Sequence, residues 1–309
     1  PPAPGGGGPP GGAGGGRAHF ARGAIRPLPP AEPARPAPWY RGKPVLSAGI
    51  LALLALGCLV FRLAPVRDPA YMDLTRCSAA PCGEFLFGTD AMGRDVFSMI
   101  WYGGGLSLFI GAAATALSTL IAVVFGALSG CAPAWLDGVL MRLTEILLSV
   151  PSLLVVVLLQ AALGEANVLS ISLVIGLTSW TSMAKIVRTE VRQLRGSEYV
   201  LASRCMGGGF FHILRRHLAP NFFSSIMFMA VMNIRSAIVA ESTLSFMGIG
   251  LPLEVITWGS MLSLSEQALL TGAWWIILIP GGFLVTTLLC VTNLAGALRG
   301  SGGRGQSNL

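Results

Sequence analysis

Two sets of charged residues stand out for what their types and spacing could do. The first is Gly88-Thr-Asp-Ala-Met-Gly-Arg-Asp95, in which Asp90 and Asp95 flank Arg94. These can form a local ion-pair and capping cluster that anchors an interfacial helix, with Gly88 and Gly93 as turn residues. The alternative is that Asp90, Arg94 and Asp95, beside Thr89, contact substrate directly; the two acids are not a catalytic carboxylate pair. The second set is Arg142, Glu145, Arg235 and Glu241, which lie inside apolar stretches. Charges there are costly in lipid and have to face the bundle interior, water or one another. Arg142 and Glu145 are three residues apart and can pair on one helix face. Arg235 and Glu241 are six apart, which calls for partners on other helices or subunits. Glu241 fits helix packing or the stabilisation of a gate, or else the lining of a cavity.

Other chemistry lacks its parts. Lys43 and Lys185 are the two lysines, and neither sits in a Gly-x-x-x-x-Gly-Lys-Ser/Thr run, so the chain has no phosphate-cradling loop for ATP. His19, His212 and His217 fall in a tail or in a basic loop, and no Ser/His/Asp arrangement appears. Cys58, Cys131, Cys205 and Cys290 show no metal-ligand spacing. These residues describe neither an enzyme nor a metal site.

Composition sets the elements that must position the charges. Hydrophobic residues make up 53% of the 309 and charged residues 11%, with a mean hydropathy of +0.69. Such values lie outside the soluble globular class. Crossing a hydrocarbon core of about 30 Å takes roughly 20 apolar residues. Runs of that kind occur at 45–63, 106–129, 139–163, 168–186, 222–246 and 274–298. They are too long and too evenly apolar for barrel strands, so the fold class is an all-α membrane protein, a bundle of about six transmembrane helices. Pro151 and Pro280-Gly-Gly282 are predicted to interrupt and bend their helices. Trp258, Trp274 and Trp275 read as interfacial anchors.

Basic residues predict the orientation. Arg41 and Lys43 precede the first run, Lys185, Arg188, Arg192, Arg195, Arg204, Arg215 and Arg216 lie between the fourth and fifth, and Arg299 and Arg304 follow the sixth. Six crossings place them all on one side, which is predicted to be cytoplasmic together with both termini. The net charge of +7 follows from the same bias and does not point to nucleic acid. The loop between the first two runs is predicted to be outer, where Asp68, Asp73, Glu84, Asp90 and Asp95 outnumber Arg62, Arg67, Arg76 and Arg94. An oxidising exterior would permit a disulfide between its Cys77 and Cys82, or leave two thiols. Residues 1–40, almost wholly Pro, Gly, Ala and Arg, read as a disordered tail. Residues 41–104 make the first helix and outer loop, 105–300 the core with a cytoplasmic loop at 188–220, and 301–309 a flexible tail.

That cytoplasmic loop has a pattern of its own. Tyr199, Ala202, Ser203 and Met206 share a helical face, with Glu198 and Arg204 pointing elsewhere. Gly207-Gly208-Gly209 then allows a turn, and Phe210, Phe211, Ile213 and Leu214 resume an apolar pattern that leads to Pro220. A helix, a turn and a second helix form a knob able to seat in a groove on a soluble partner.

Here the chain resembles the permease subunits of ABC importers. Their cytoplasmic loop carries two small residues, a Gly four positions after the second, and a Pro thirteen positions beyond that Gly; Ala202, Ser203, Gly207 and Pro220 stand at these places. The acid that opens the general motif is replaced by Leu201, with Glu198 nearby. The run from Phe87 to Ser98 is similar to the signature that precedes the second helix in dipeptide, oligopeptide and nickel permeases. Met141-Arg-Leu-Thr-Glu145 with Pro151, the run from Glu241 to Gly250, and Trp258-Gly-Ser-Met261 extend the resemblance over 45–298.

The resemblance implies a transmembrane subunit of a bacterial or archaeal cell membrane that takes in peptides, nickel or metal chelates by alternating access. It implies a second homologous permease subunit, two ATP-binding subunits that carry ATP and Mg, and an extracytoplasmic substrate-binding protein. Residues 197–220 would be the helix that docks on an ATP-binding subunit. An ion-coupled secondary transporter is the alternative. It calls for ionisable midplane sites and usually internal repeats, and it leaves the cytoplasmic knob without a purpose.

Overall fold

The computed structural model describes residues 45–64, 67–196, 219–252 and 254–302, with backbone alone at 194, 219–225, 265–267 and 299–302. The N-terminal tail, Glu198, Ala202, Ser203, Gly207 and residues 303–309 lie outside the described residues.

The described chain is helical: α1 Val45–Leu63, α2 Val96–Cys131, α3 Ala134–Ser149, α4 Ser152–Leu163, α5 Val168–Thr178, α6 Trp180–Arg195, α7 Ala219–Phe246, α8 Trp258–Ser263, α9 Ser265–Thr271 and α10 Trp275–Gly302. A 3-10 turn, Leu74–Arg76, breaks the loop between α1 and α2. Among the described residues, four helices are individually long and apolar enough to cross a membrane; the count reaches six when each of two bent pairs is taken as one span.

The first pair is α3 and α4, which meet at 89°. Pro151 supplies no N–H, and Val150 before it is extended at φ −93°, ψ 133°, so the apolar run at 139–163 cannot continue as one helix. The second pair, α5 and α6, meets at 43°. At that break the Thr178 hydroxyl donates to the carbonyls of Val174 and Ile175, the second of which also accepts the Ser179 N–H, a back-bonding that bends helices. Pro280 behaves differently from Pro151. It lies inside α10, which runs on unbroken to Gly302, so the predicted interruption is absent.

The helix α2 starts at Val96, well ahead of the apolar run at Leu106, because the Asp95 carboxylate accepts the Ser98 N–H and caps it there. Its 36 residues extend about 54 Å at roughly 1.5 Å each, beyond a hydrocarbon core of about 30 Å. Lipid provides no hydrophobic force between helices, so close approach through small residues has to hold them together. Buried Gly111, Ala114, Ser118, Ala122, Gly126 and Gly130 form such a face on α2. Ala122 and Ala127 pack on Trp180, Met183, Ala184, Val187 and Val191 of α6. Ile110 and Ala114 pack on Ile171, Val174 and Ile175 of α5 and on Ala237 and Leu244 of α7. A Cβ placed on Gly126 would lie 2.6 Å from the Ala184 carbonyl oxygen, and one on Gly111 would lie 2.8 Å from Ile238 Cγ1.

Trp258 is fully buried with Val96, Met99 and Ile100, and Trp275 is buried against Ala268 and Ala273, so neither is the interfacial anchor expected. Trp274 is exposed. Cys77 and Cys82 are exposed free thiols, which sets aside a disulfide between them.

Replacing Gly126 with Leu is expected to force α6 off α2, lowering the thermal midpoint in detergent by about 5 °C or more. Gly49→Leu, where no atom lies within 4 Å of a new Cβ, is expected to leave the midpoint unchanged. Equal midpoints for the two variants would refute the close-packed role of α2.

Candidate functional site

The functional residues group into joints between helices. In the loop before α2, Asp90 Oδ1 accepts the backbone N–H groups of Met92 at 2.9 Å and Arg94 at 2.8 Å. Its Oδ2 accepts from Arg94 Nε at 2.7 Å, and both side chains are almost wholly buried. Thr89 pairs with Asp95 in an isolated antiparallel bridge. The Thr89 hydroxyl donates to the Arg76 carbonyl and accepts from the Ala79 N–H, while Trp275 Nε1 donates to the Thr89 carbonyl at 3.0 Å. Gly88 and Gly93 take φ of +76° and +75°, and a Cβ on Gly93 would collide with the Asp73 carbonyl. The cluster thus fastens the loop to the starts of α2 and α10. Near its rim the Arg76 guanidinium, hydrogen-bonded to Glu84, holds that carboxyl below the ordinary carboxylate range.

Glu241, wholly buried, makes the second joint. Its Oε1 accepts from Thr257 Oγ1 at 2.7 Å and Ser245 Oγ at 3.0 Å, and its Oε2 from Ser242 Oγ at 3.4 Å. Thr257 is the N-cap of α8, with a reciprocal bond from Ser260. The next residue, Trp258, donates its backbone N–H to Ser107 Oγ at 3.2 Å and its Nε1 to the Ile100 carbonyl at 3.1 Å. Gly259 lets the backbones meet, since a Cβ there would lie 2.7 Å from Ser242 Cα. Two motifs far apart in sequence, Glu241 to Gly250 and Trp258 to Met261, are therefore one structure that locks α8 between α7 and α2.

A third joint brackets the cytoplasmic loop. Asp137 of α3 accepts from Arg188 Nε and Nη2, from Arg192 Nη2 at 3.0 Å, and from Ser129 Oγ of α2 at 2.6 Å. Arg195 donates to the Cys131 carbonyl at 2.9 Å. The end of α6 is clasped to the α2–α3 corner immediately before residue 197. On the other side of the loop, Pro220 stands in the first turn of α7, where its missing N–H breaks no helical bond.

The remaining charges stay apart from these joints. Arg142 and Glu145 pair at 3.0 Å on the exposed side of α3, as their spacing predicts. Arg235 does not reach Glu241, and among the described residues its buried Nε has no hydrogen-bond partner. Sequence reading singled out Arg188 and Arg192 only as positive charges and did not single out Asp137. The one available signal was a lone acid following Pro133 at the head of an apolar run.

Glu241 and Asp137 thus each hold separate elements in register, an arrangement suited to transmitting force. Comparison with known proteins agrees with a transport role. Residues 122–299 match the family described as binding-protein-dependent transport system inner membrane component. The chain is 36% identical over 255 residues to the dipeptide transport system permease protein DppC of Bacillus subtilis (strain 168), covering 82% of this chain and 79% of that protein. It is 35% identical to the oligopeptide transport system permease protein OppC of the same organism, covering 84% and 85%. Against OppC of Escherichia coli (strain K12) the identity is 36%, over 82% and 84%. The chain belongs to the family of inner membrane components of binding-protein-dependent transport systems, and is a multi-pass permease subunit of an ABC importer, a transport subunit and not an enzyme.

Proposed function

We propose that this chain is one of two permease subunits of an ATP-driven importer of peptides. Its relatives are named for dipeptide and oligopeptide transport, and the same chemistry is assigned here in preference to nickel or metal chelates. A second homologous permease completes the pathway. An extracytoplasmic binding protein delivers the cargo, and two partner subunits bind ATP and Mg. Both termini and the loop at 188–220 face the cytoplasm, and the loop bearing Asp90, Arg94 and Asp95 faces outward.

In this reading Glu198, Ala202, Ser203, Gly207 and Pro220 belong to the segment that docks on an ATP-binding subunit. The observation that carries the reading is the Asp137 clasp. Arg188, Arg192 and Arg195 tie the end of α6 to the α2–α3 corner, so a push on residues 197–218 passes to the central helix without bending α6 first. Closure of the ATP-binding subunits would tilt these helices as a body and open the pathway outward; hydrolysis would reset it and release cargo inward. Asp90, Arg94 and Asp95 hold the outer loop, and Glu241 holds α8 in place through this cycle.

Copurification from native membrane in mild detergent is expected to recover a second permease and ATP-binding subunits, and liposomes holding that assembly and the binding protein are expected to take up a labelled dipeptide only with ATP. Recovery of this chain alone, with transport independent of ATP, would favour the ion-coupled alternative. Gly207→Leu is expected to abolish uptake and the stimulation of ATP hydrolysis by loaded binding protein while the assembly still purifies; normal values of both would remove residue 207 from the coupling contact. A cysteine placed at Ser197 should react with an impermeant maleimide in inverted vesicles and not in intact cells. Labelling in intact cells would reverse the orientation.

A further inference from the structure

Arg235 stands on α7 close to the middle of the membrane-spanning stretch Ile226–Phe246. At about 1.5 Å per residue it lies roughly 15 Å from either end. A side chain of that length cannot carry its charge to a headgroup from there, although arginines nearer the ends of spans do so. A guanidinium at the centre of a span is costly without compensation. Among the described residues its compensation is missing. The buried Nε has no hydrogen-bond partner, and among the described residues no carboxylate pairs with it. The nearest acid along the helix, Glu241, is taken up by Thr257, Ser245 and Ser242.

The neighbouring face of α7 mixes hydroxyls with apolar Val239. Ser236, Val239 and Thr243 follow one another at helical spacing, with Ser236 and Val239 exposed. The Ser236 and Thr243 hydroxyls satisfy themselves on the carbonyls of Met232 and Val239, leaving the guanidinium as the group on that face with unused donors. A planar fork of donors at midplane suits a carboxylate, which it can bind in bidentate fashion. Every peptide with a free C-terminus carries one.

We propose that Arg235 is a cargo-binding residue of the translocation path, taking the C-terminal carboxylate of the passing peptide. This rests on the peptide reading above and adds the group on the cargo and the residue that meets it. A lipid phosphate is too far away, and an acid from the second permease is the competing anion.

The test uses the complete assembly in liposomes, with the same binding protein throughout, and compares uptake of trialanine with that of its C-terminal amide. Wild-type assembly is expected to prefer the free carboxylate. With Arg235→Gln, uptake of trialanine should fall about tenfold and the preference should shrink towards the binding protein's own, while Arg235→Lys retains most of both. Because the binding protein is unchanged, a changed ratio reports the permease. An unchanged ratio in Arg235→Gln would overturn the proposal, and so would loss of the second permease on purification of Arg235→Gln but not Arg235→Lys, which would assign the charge to the subunit interface. If wild-type assembly moves neither peptide, the peptide reading fails first, whatever Arg235 does.

Discussion

Backbone contact along α2 is the constraint on which the remaining packing depends. In hydrocarbon a Leu gains nothing by leaving lipid for another helix, so association has to come from close packing and from polar groups that find partners. The helix meets both needs. Its Gly111, Ala114 and Gly126 admit α5, α6 and α7 at distances that a further side-chain carbon would forbid. Its Ser107 and Ser129 hydroxyls meet Trp258 and Asp137 at the joints on either side. Where α2 offers no such face the chain is loosely held: α3 and α4 leave Ile146, Leu154 and Leu158 exposed, a surface for lipid or for another helix.

Charges then fix what small residues only allow. A buried ion pair adds little net stability over an apolar substitute, yet removing one partner leaves an uncompensated charge and is costly. That asymmetry makes the Asp90–Arg94 pair, the Glu241 cluster and the Asp137 clasp better understood as devices that define register. Slip α8 by one residue and Thr257 no longer reaches Glu241. Turn α6 and Arg188 leaves Asp137. Because Glu241 and Asp137 have partners on more than one element, adjacent helices share one set of positions and move, if they move, together.

How much of this was legible in the sequence depends on the distance over which each interaction acts. Apolar length revealed the spans, and α1 falls on the run at 45–63 because hydrophobicity alone defines it. The Asp95 cap and the Gly88 and Gly93 turns were readable because capping and positive φ are local. The start of α2 was not, since Ser98, Tyr102 and three consecutive glycines dilute the hydropathy there and burial against Ile256 and Trp258 compensates. Pro151 announced a break but not a turn of 89°, and Pro280 announced one that α10 does not make. Trp258 looked interfacial because its partners, Ile100 and Ser107, are more than a hundred residues away. Asp137 was invisible for the same reason: its arginines stand beyond two further helices.

The joints are also unevenly placed, and this bears on how force would travel. Glu241 and Trp258 bind α7 and α8 to one part of α2, while Asp137 and Arg195 bind α3 and α6 to its far end. Loop residues 197–218 enter from α6 and leave into α7, both of which are packed on the same central helix. A displacement applied to that loop therefore acts on a nearly closed frame rather than on a single lever. A frame yields at its weakest corners, and two described breaks without a carboxylate clasp lie at Pro151 and at Ser179. The first has the proline that removes a backbone bond and the second has carbonyls that also accept the Thr178 hydroxyl. On the coupling reading, relative motion concentrates at those two breaks, and the helix face carrying Arg235 moves with the frame.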